Sequence, residues 1–357
     1  MRQSFTSASF RPHRICGGSN TGGTGMRREP EKLSMKRSLL AVGLGLVALG
    51  SLAAQGHAGF DRELPRYRPV EGLRGILSAA GSDTMLVLQT MMAEEFREIY
   101  PQVTIEIEGK GSSTAPPALI ESSVQIANMS RRIMGREADA FTDRFGYEPV
   151  RIDVALDTVG VFVHRDNPIR SLTMAEIDSV FSQTRRCGDR PDVVEWGQLG
   201  LTGDWANAPI SPYGRNAASG TYGFFKEHAL CRGDFKDTVK EQPGSASVVQ
   251  GVENDLYGVG YSGIGYATSG VRPVPIVVME GEKPVAPTHK NAANGRYPMA
   301  RFLDVYVNKA PGRPLDRLTS EYLRFMLSAE GQDVVLRAGF HPLDAATVMR
   351  ELAKLGD

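Results

Sequence analysis

The sequence predicts an α/β protein of two lobes, each a βα sheet sandwiched by helices, with a ligand cleft between them. Three observations predict it. From about residue 73, short apolar strand runs alternate with segments of helical periodicity. Two stretches, near 155–160 and 262–270, read as crossovers from one lobe to the other. The hydroxyl and guanidinium side chains gather where strands turn into helices, which is where open α/β sheets bind ligands.

Each element has its own warrant. Ile76 to Ala80 is a short apolar strand, and Gly81-Ser82-Asp83-Thr84 turns it into a helix. That helix shows Leu88, Met92, Phe96 and Ile99 on one face, and Pro101 ends it. Val103 to Ile107 alternates as a half-buried strand does. The turn from Gly109 through Gly111, Ser112, Ser113 and Thr114 follows, with Pro116 and Pro117 suited to the first turn of a helix. Gln125 to Met129 is a third strand, then Ser130-Arg131-Arg132, then a helix over about Gly135 to Phe145. Val150 to His164 is long for one strand and reads as the first crossover. Thr173 and Glu176 form a capping box that opens a helix reaching about Phe181. Residues 185–208 are loop, containing Gly, Pro and the two Trp, Trp196 and Trp205, which are read as packing residues. A strand over Ile210 to Tyr213 leads through Arg215 to Thr221 into a helix with Phe224, Phe225, Ala229 and Leu230. Residues 245–254 read as helix. Gly258 to Gly263 matches GxGxxG, but no helix pattern follows, so a glycine-rich strand or the second crossover fits better than a dinucleotide loop. Phe302 to Val307 is a further strand. Helices over Leu315 to Leu336 and Leu343 to Leu355 close the chain, punctuated by Gly331 and Gly339.

Composition narrows the function. The whole chain balances 41 basic against 41 acidic residues, but residues 1–58 hold eight Lys/Arg and two Asp/Glu. Removing those leaves 33 basic and 39 acidic, a net of −6. No basic face for nucleic acid is expected, and an anion must be held by local dipoles and one or two Arg. Residues 35–58 read as a signal peptide: Lys36-Arg37, an apolar run from Leu39 to Ala54, then small residues around Gly56-His57-Ala58. A transmembrane anchor is the alternative, although the run is short for a span. Residues 1–34 read as a non-native leader extension, because Met35 directly precedes the basic pair. Gly17 to Gly25 lacks the Lys and the strand–helix setting of a phosphate loop. Cys16 lies in that leader. Cys187 and Cys231 remain, an even pair that predicts a disulfide in an oxidising compartment, with two free thiols as the alternative. Histidines at 164, 228, 289 and 341 are scattered, so neither a metal site nor a cofactor is expected.

Helix beginnings offer unpaired N–H groups and partial positive charge, which suit a small oxyanion. The candidates are Ser82, Asp83, Thr84 and the amide of Met85; Ser112 and Ser113; Ser130 and Arg131; and Arg215, Ser219, Gly220 and Thr221. Alone, each hydroxyl is as readily a helix cap. Together, four such turns offer about the number of donors a tetrahedral dianion needs. No catalytic residue is assigned.

At this point the sequence resembles the periplasmic phosphate-binding proteins of ABC transporters, over about residues 74–345. Gly81 to Thr84, Gly109 to Ser113, Ala127 to Arg131 and Arg215 to Thr221 look like that family's four anion-contacting segments in order. Val307 to Gly312 and Ser328 to Gln332 look like its C-terminal signature. The resemblance implies the type II periplasmic-binding-protein fold and phosphate capture for a membrane permease, by a monomer without enzymatic activity or bound nucleic acid. It implies one lobe from 73–158 plus 266–357 and another from 159–265. Some members carry Asp in the third segment, where it accepts the proton of hydrogen phosphate; this chain has Arg131. Asp83 is expected either to supply that acceptor or to cap its helix. Binding of another oxyanion (sulfate, molybdate or tungstate), a phosphate sensor or adhesin, and a secreted phosphatase remain as alternatives.

Overall fold

A computed structural model describes residues 63–188 and 190–356. The expected leader, the signal peptide and Cys16 lie outside the described residues.

The first βα units follow the apolar periodicities. β1 (Gly75–Gly81) leads through a short 3-10 turn, Asp83–Met85, into α1 (Leu86–Ile99). β2 (Val103–Glu108) leads through another, Ser112–Thr114, into α2 (Ala115–Ile120), with a Pro in its first turn. β3 (Ile126–Met129) and α3 (Gly135–Phe145) follow. β4 (Val150–His164) is the long strand. β5 (Leu172–Thr173) precedes α4 (Met174–Phe181), whose N-terminus carries the Thr173–Glu176 capping box. Next come β6 (Ser211–Arg215), α5 (Gly220–His228), β7 (Lys240–Gln242), α6 (Ser245–Glu253) and β8 (Gly258–Gly263). Then come β9 (Val271–Pro273), β10 (Ile276–Val277), α7 (His289–Ala293) and β11 (Ala300–Val307). The chain ends in α8 (Arg317–Met326), α9 (Ala329–Arg337) and α10 (Ala345–Leu355).

The main sheet runs β2-β1-β3-β11-β4-β8-β6-β7, with β9 also on β4. β1 pairs in parallel with β2 and β3, and β6 with β7 and β8, as βα connections require. β4 joins the two halves. Val150 to Thr158 pair antiparallel with β11, and Val159 to Val163 with β8. Its apolar side chains change core at the same point. Ile152, Val154 and Ala155 pack with Leu77, Met92, Phe96, Val305 and Tyr322, whereas Val159, Val161 and Val163 pack with Phe181, Trp196, Phe225 and Tyr261. A strand that belongs to two cores is a natural hinge between lobes.

Two expectations change. Residues 266–357 were expected in the first lobe, but Val274, Ile276, Val285, Tyr297 and Met299 fill the second core. The switch back comes with β11, whose Leu303 and Val305 enter the first core. The expected helix over Leu315 to Leu336 is two helices. Ser328 interrupts it, accepting from the Gly331 amide as the N-cap of α9. Gly331 is needed there, since a Cβ would collide with the Phe325 carbonyl oxygen and lie 2.7 Å from that of Met326.

Cys187 and Cys231 are joined by a disulfide that closes a 44-residue separation. Trp196 is buried, donates its indole N–H to the Tyr257 carbonyl at 3.2 Å and meets Trp205 edge-on. Among the described residues, no helix is long and apolar enough to cross a membrane.

Candidate functional site

The loops after β1, β2, β3 and β6 meet where the two cores face each other. Ser82 donates its hydroxyl to Ser130 Oγ at 2.8 Å, and Ser130 and Ser112 hydroxyls are 3.2 Å apart. The Ser130 amide also donates to Ser112 Oγ. The Thr84 and Thr221 hydroxyls, from opposite lobes, share a hydrogen bond at 2.8 Å. Gly220 brings the α5 N-terminus against the serines. A Cβ there would fall inside the radius of Ser112 Oγ and 2.5 Å from Ser130 Oγ. Gly111 does the same on the facing side. Its φ of 114° lies in a region L side chains avoid, and a Cβ would sit 2.5 Å from the Ala218 carbonyl oxygen. That carbonyl accepts from the Ser113 amide at 3.1 Å, so backbone as well as side chains bridge the lobes.

All these hydroxyls are buried: Ser82, Thr84, Ser112, Ser130, Ser219 and Thr221 are each 3% exposed or less. Removing so many hydroxyls from water is costly unless each finds a partner. A fold that gathers so many buried hydroxyls between two hydrophobic cores is equipped to hold a polar ligand.

Two guanidiniums complete the set. Arg215, at the end of β6, is 2% exposed. It donates to Ser245 Oγ at 2.7 Å and to the Pro243 carbonyl, and lies 3.1 Å from Asp83 Oδ2. Arg301, on β11, donates through Nε and Nη2 to Asp157 Oδ2 at 3.0 and 2.9 Å. It also donates to the Ser130 carbonyl at 2.6 Å and to Thr221 Oγ1 at 2.9 Å. Arg301 thereby links the hinge strand, the third turn of the first lobe and the α5 N-terminus of the second. Burial pulls both guanidinium pKa values down, and the facing carboxylates, Asp83 and Asp157, oppose it. Burial pushes Asp157 up, against Arg301.

Most of the expected residues converge, but several take other roles. Ser82, Thr84, Ser112, Ser130, Arg215, Gly220 and Thr221 lie in one buried cluster. Ser219 is the N-cap of α5, accepting from the amides of Thr221 and Tyr222. The Met85 amide donates to the Ser82 carbonyl at 3.2 Å, closing the 3-10 turn. Asp83 neither caps its own turn nor stays free. Its Oδ2 accepts from the Ser245 amide at 2.7 Å and pairs with Arg215, a bond from one lobe to the other. The third turn is not a helix start, because no 3-10 turn follows β3 and α3 begins only at Gly135. Arg131 therefore folds back onto α3, holding both oxygens of Glu137 at 2.7 and 2.8 Å and reaching Ser113 Oγ at 3.3 Å. Ser113 and Arg131 form a separate group beside the cluster.

Sequence reasoning missed Arg301, Asp157 and Ser245. The first two sit inside strands, where attention was on apolar alternation. A charged pair embedded in two otherwise buried strands was the available signal. Ser245 opens α6, a helix start like those after β1, β2 and β6, and its hydroxyl lies 3.5 Å from that of Thr84. Tyr266 was missed as well; it donates to the carbonyls of Asp83 and Thr84 and so fixes the first turn. A cavity of about 660 Å³ lies beside the crossing strands, lined by Leu156, His289, Tyr297, Phe302 and Thr347. It shares only Arg301 with the hydroxyl cluster and lacks its convergent donors.

Comparison with known proteins agrees with this fold. Residues 67–330 match the PBP superfamily domain. The phosphate-binding protein PstS of Pseudomonas aeruginosa is 50% identical over 322 residues, which is 90% of this chain and all of that protein. Protein SphX of Synechococcus elongatus is 27% identical, over 76% of this chain and 79% of its own. A Clostridium perfringens protein solved with bound phosphate has the same fold, with a TM-score of 0.63 at 24% identity over 76% of this chain and 100% of that one. A Vibrio cholerae phosphate transport receptor has a TM-score of 0.58 at 20% identity, over 74% and 98%. The chain belongs to the PBP superfamily and, within it, to the PstS-like solute-binding proteins.

Proposed function

We propose that this protein captures inorganic phosphate between its lobes in the periplasm and delivers it to the permease subunits of an ABC importer. One observation carries the reading: hydroxyls from four strand-ending turns and two guanidiniums are buried together where the lobes face each other. A tetrahedral dianion uses many donors at once. Charge-assisted hydrogen bonds in a dry site contribute about 1.5–3 kcal/mol each. Thr84, Ser112, Ser130, Ser245 and Thr221 would present hydroxyls to the oxygens, and Arg215 and Arg301 would balance the charge. The predicted signal peptide and the Cys187–Cys231 bridge support an exported protein. The relatives are named as phosphate-binding proteins, which supports a binder rather than an enzyme.

The test is a thermal shift of the purified protein against phosphate, arsenate, sulfate and molybdate. A ligand that binds only the folded state raises the midpoint by mass action. Phosphate at millimolar concentration is expected to raise it by several degrees. No shift with phosphate but a shift with another oxyanion transfers the reading to that ion. Steady release of product from phosphate esters would instead establish a phosphatase.

A further inference from the structure

We propose that His289 and His341 hold one divalent transition-metal ion at the hinge. The ion ties the two lobes together in the arrangement that brings the anion-facing turns into contact.

The two histidines are far apart in sequence, yet the fold sets them side by side. Their ring centres are 5.2 Å apart and their planes meet at 68°. His341 is 8% exposed. Each ring keeps a buried nitrogen without a hydrogen-bond partner, Nδ1 of His289 and Nε2 of His341. Buried polar atoms nearly always have a partner, and two such nitrogens on neighbouring rings imply a shared ligand. Zinc binds imidazole nitrogen at about 2.0–2.1 Å, so two imidazoles at tetrahedral positions on one ion have ring centres roughly 5 Å apart. The observed separation matches that value.

Each histidine belongs to a different lobe. His341 lies between Phe340 and Leu343, both in the first core, and its amide and carbonyl both bond to Leu156 of β4. His289 opens α7, and Val285 before it and Tyr297 after it fill the second core. Tyr297 also donates its hydroxyl to the Val159 carbonyl at 3.1 Å, so α7 is tied to the second-lobe half of β4. An ion held by both rings therefore spans the hinge. Parting the lobes changes the spacing of the rings, so the ion and the closed cleft favour the same state.

The donor chemistry selects the ion. Imidazole suits zinc, copper and nickel, whereas calcium and magnesium take oxygen ligands. Burial, then His289, lower the His341 pKa to about 4, so its ring is neutral at neutral pH, the form that binds metal. Among the described residues, no third His, Cys, Asp or Glu completes a cluster, so water fills the remaining positions. His289 lines the cavity of about 660 Å³ beside the crossing strands, which gives the ion and its waters a way in. Asp344 lines the same cavity and adds negative charge.

The test uses tag-free protein titrated with Zn²⁺ in phosphate-free buffer by calorimetry. One ion per chain is expected, at micromolar affinity. His289→Ala, at a partly exposed position, is expected to lower that affinity at least tenfold, and His341→Gln likewise. A variant with both His164 and His228 replaced by Ala is expected to keep it. If His341→Gln does not fold, His289→Ala decides alone. No saturable binding, or equal binding by the native protein and His289→Ala, would overturn the site. The tie between the lobes rests on the phosphate reading and is measured separately. Phosphate is expected to bind at least fivefold more tightly in saturating micromolar Zn²⁺ than in EDTA, with no such gain in His289→Ala. Zinc binding without that gain would overturn the tie and leave the phosphate reading standing. Failure to bind phosphate at all would remove both of these and leave the metal site.

Discussion

Arg215 and Arg301 divide the positive charge of the cleft, and each is held by a carboxylate from a different segment. The two pairs differ in depth. Asp157 is fully buried, whereas the Asp83 side chain is 16% exposed. Removing one partner of a buried pair costs about 3–5 kcal/mol, because the other charge is stranded. Arg301→Met is therefore expected to lower both phosphate affinity and stability, the latter by roughly that amount in a urea melt. Arg215→Ala leaves a more accessible Asp83. It is expected to weaken phosphate binding tenfold or more in a calorimetric titration, with a much smaller loss of stability. Gly220 gives a sharper test of lobe contact. Gly220→Ala puts a methyl group into Ser112 and Ser130. Since the lobes can part to make room, the variant is expected to keep its melting temperature and lose phosphate affinity by at least tenfold. A normal affinity would mean that the α5 N-terminus does not press on the serines.

At the level of elements, β4 and β11 do more than pair. Side by side they carry Asp157 and Arg301, and they belong to both cores. Periodicity made the helices and strands legible: the face of Leu88, Met92 and Phe96 and the alternation of Val103 and Ile105 were plain in the sequence. The turns were legible because Ser, Thr and Gly there served no packing. Arg301 was hidden because a strand read only for apolar alternation does not show which long polar side chain folds inward. Arg131 misled for the opposite reason. It sits beside Ser130 in sequence, but the chain runs on to Met134 before α3 begins, and Glu137 is the nearer anion. Ser328 and Gly331 explain why one expected C-terminal helix is two. The first supplies a cap, and the second lets α9 pass close to the end of α8. Gly331→Ala is expected to destabilise the fold by about 1–3 kcal/mol through overpacking, measured as a shift in urea midpoint with an unchanged slope.

For the whole molecule, the acid limb of stability has an identifiable contributor outside the cleft. His341 is buried, and desolvation, then His289, lower its pKa to about 4 from 6.5. The native state thus binds fewer protons than the unfolded chain between those values. Stability from this residue is complete above pH 6.5, falls as pH drops toward 4, and levels off below it. The full loss amounts to roughly 3 kcal/mol. Urea melts from pH 7 to pH 4 should therefore show a shallower fall in His341→Gln than in the native protein. Parallel curves would remove the assignment. The whole-molecule claim is that turns scattered over 140 residues of sequence, with Arg301 from beyond them, close on one anion at the hinge. Arsenate soaked into crystals, located by its anomalous scattering, tests this directly. One peak is expected, within hydrogen-bond distance of Thr84, Ser112 and Thr221, with a guanidinium beside it. A peak on an outer face, or none in that crevice, would contradict it.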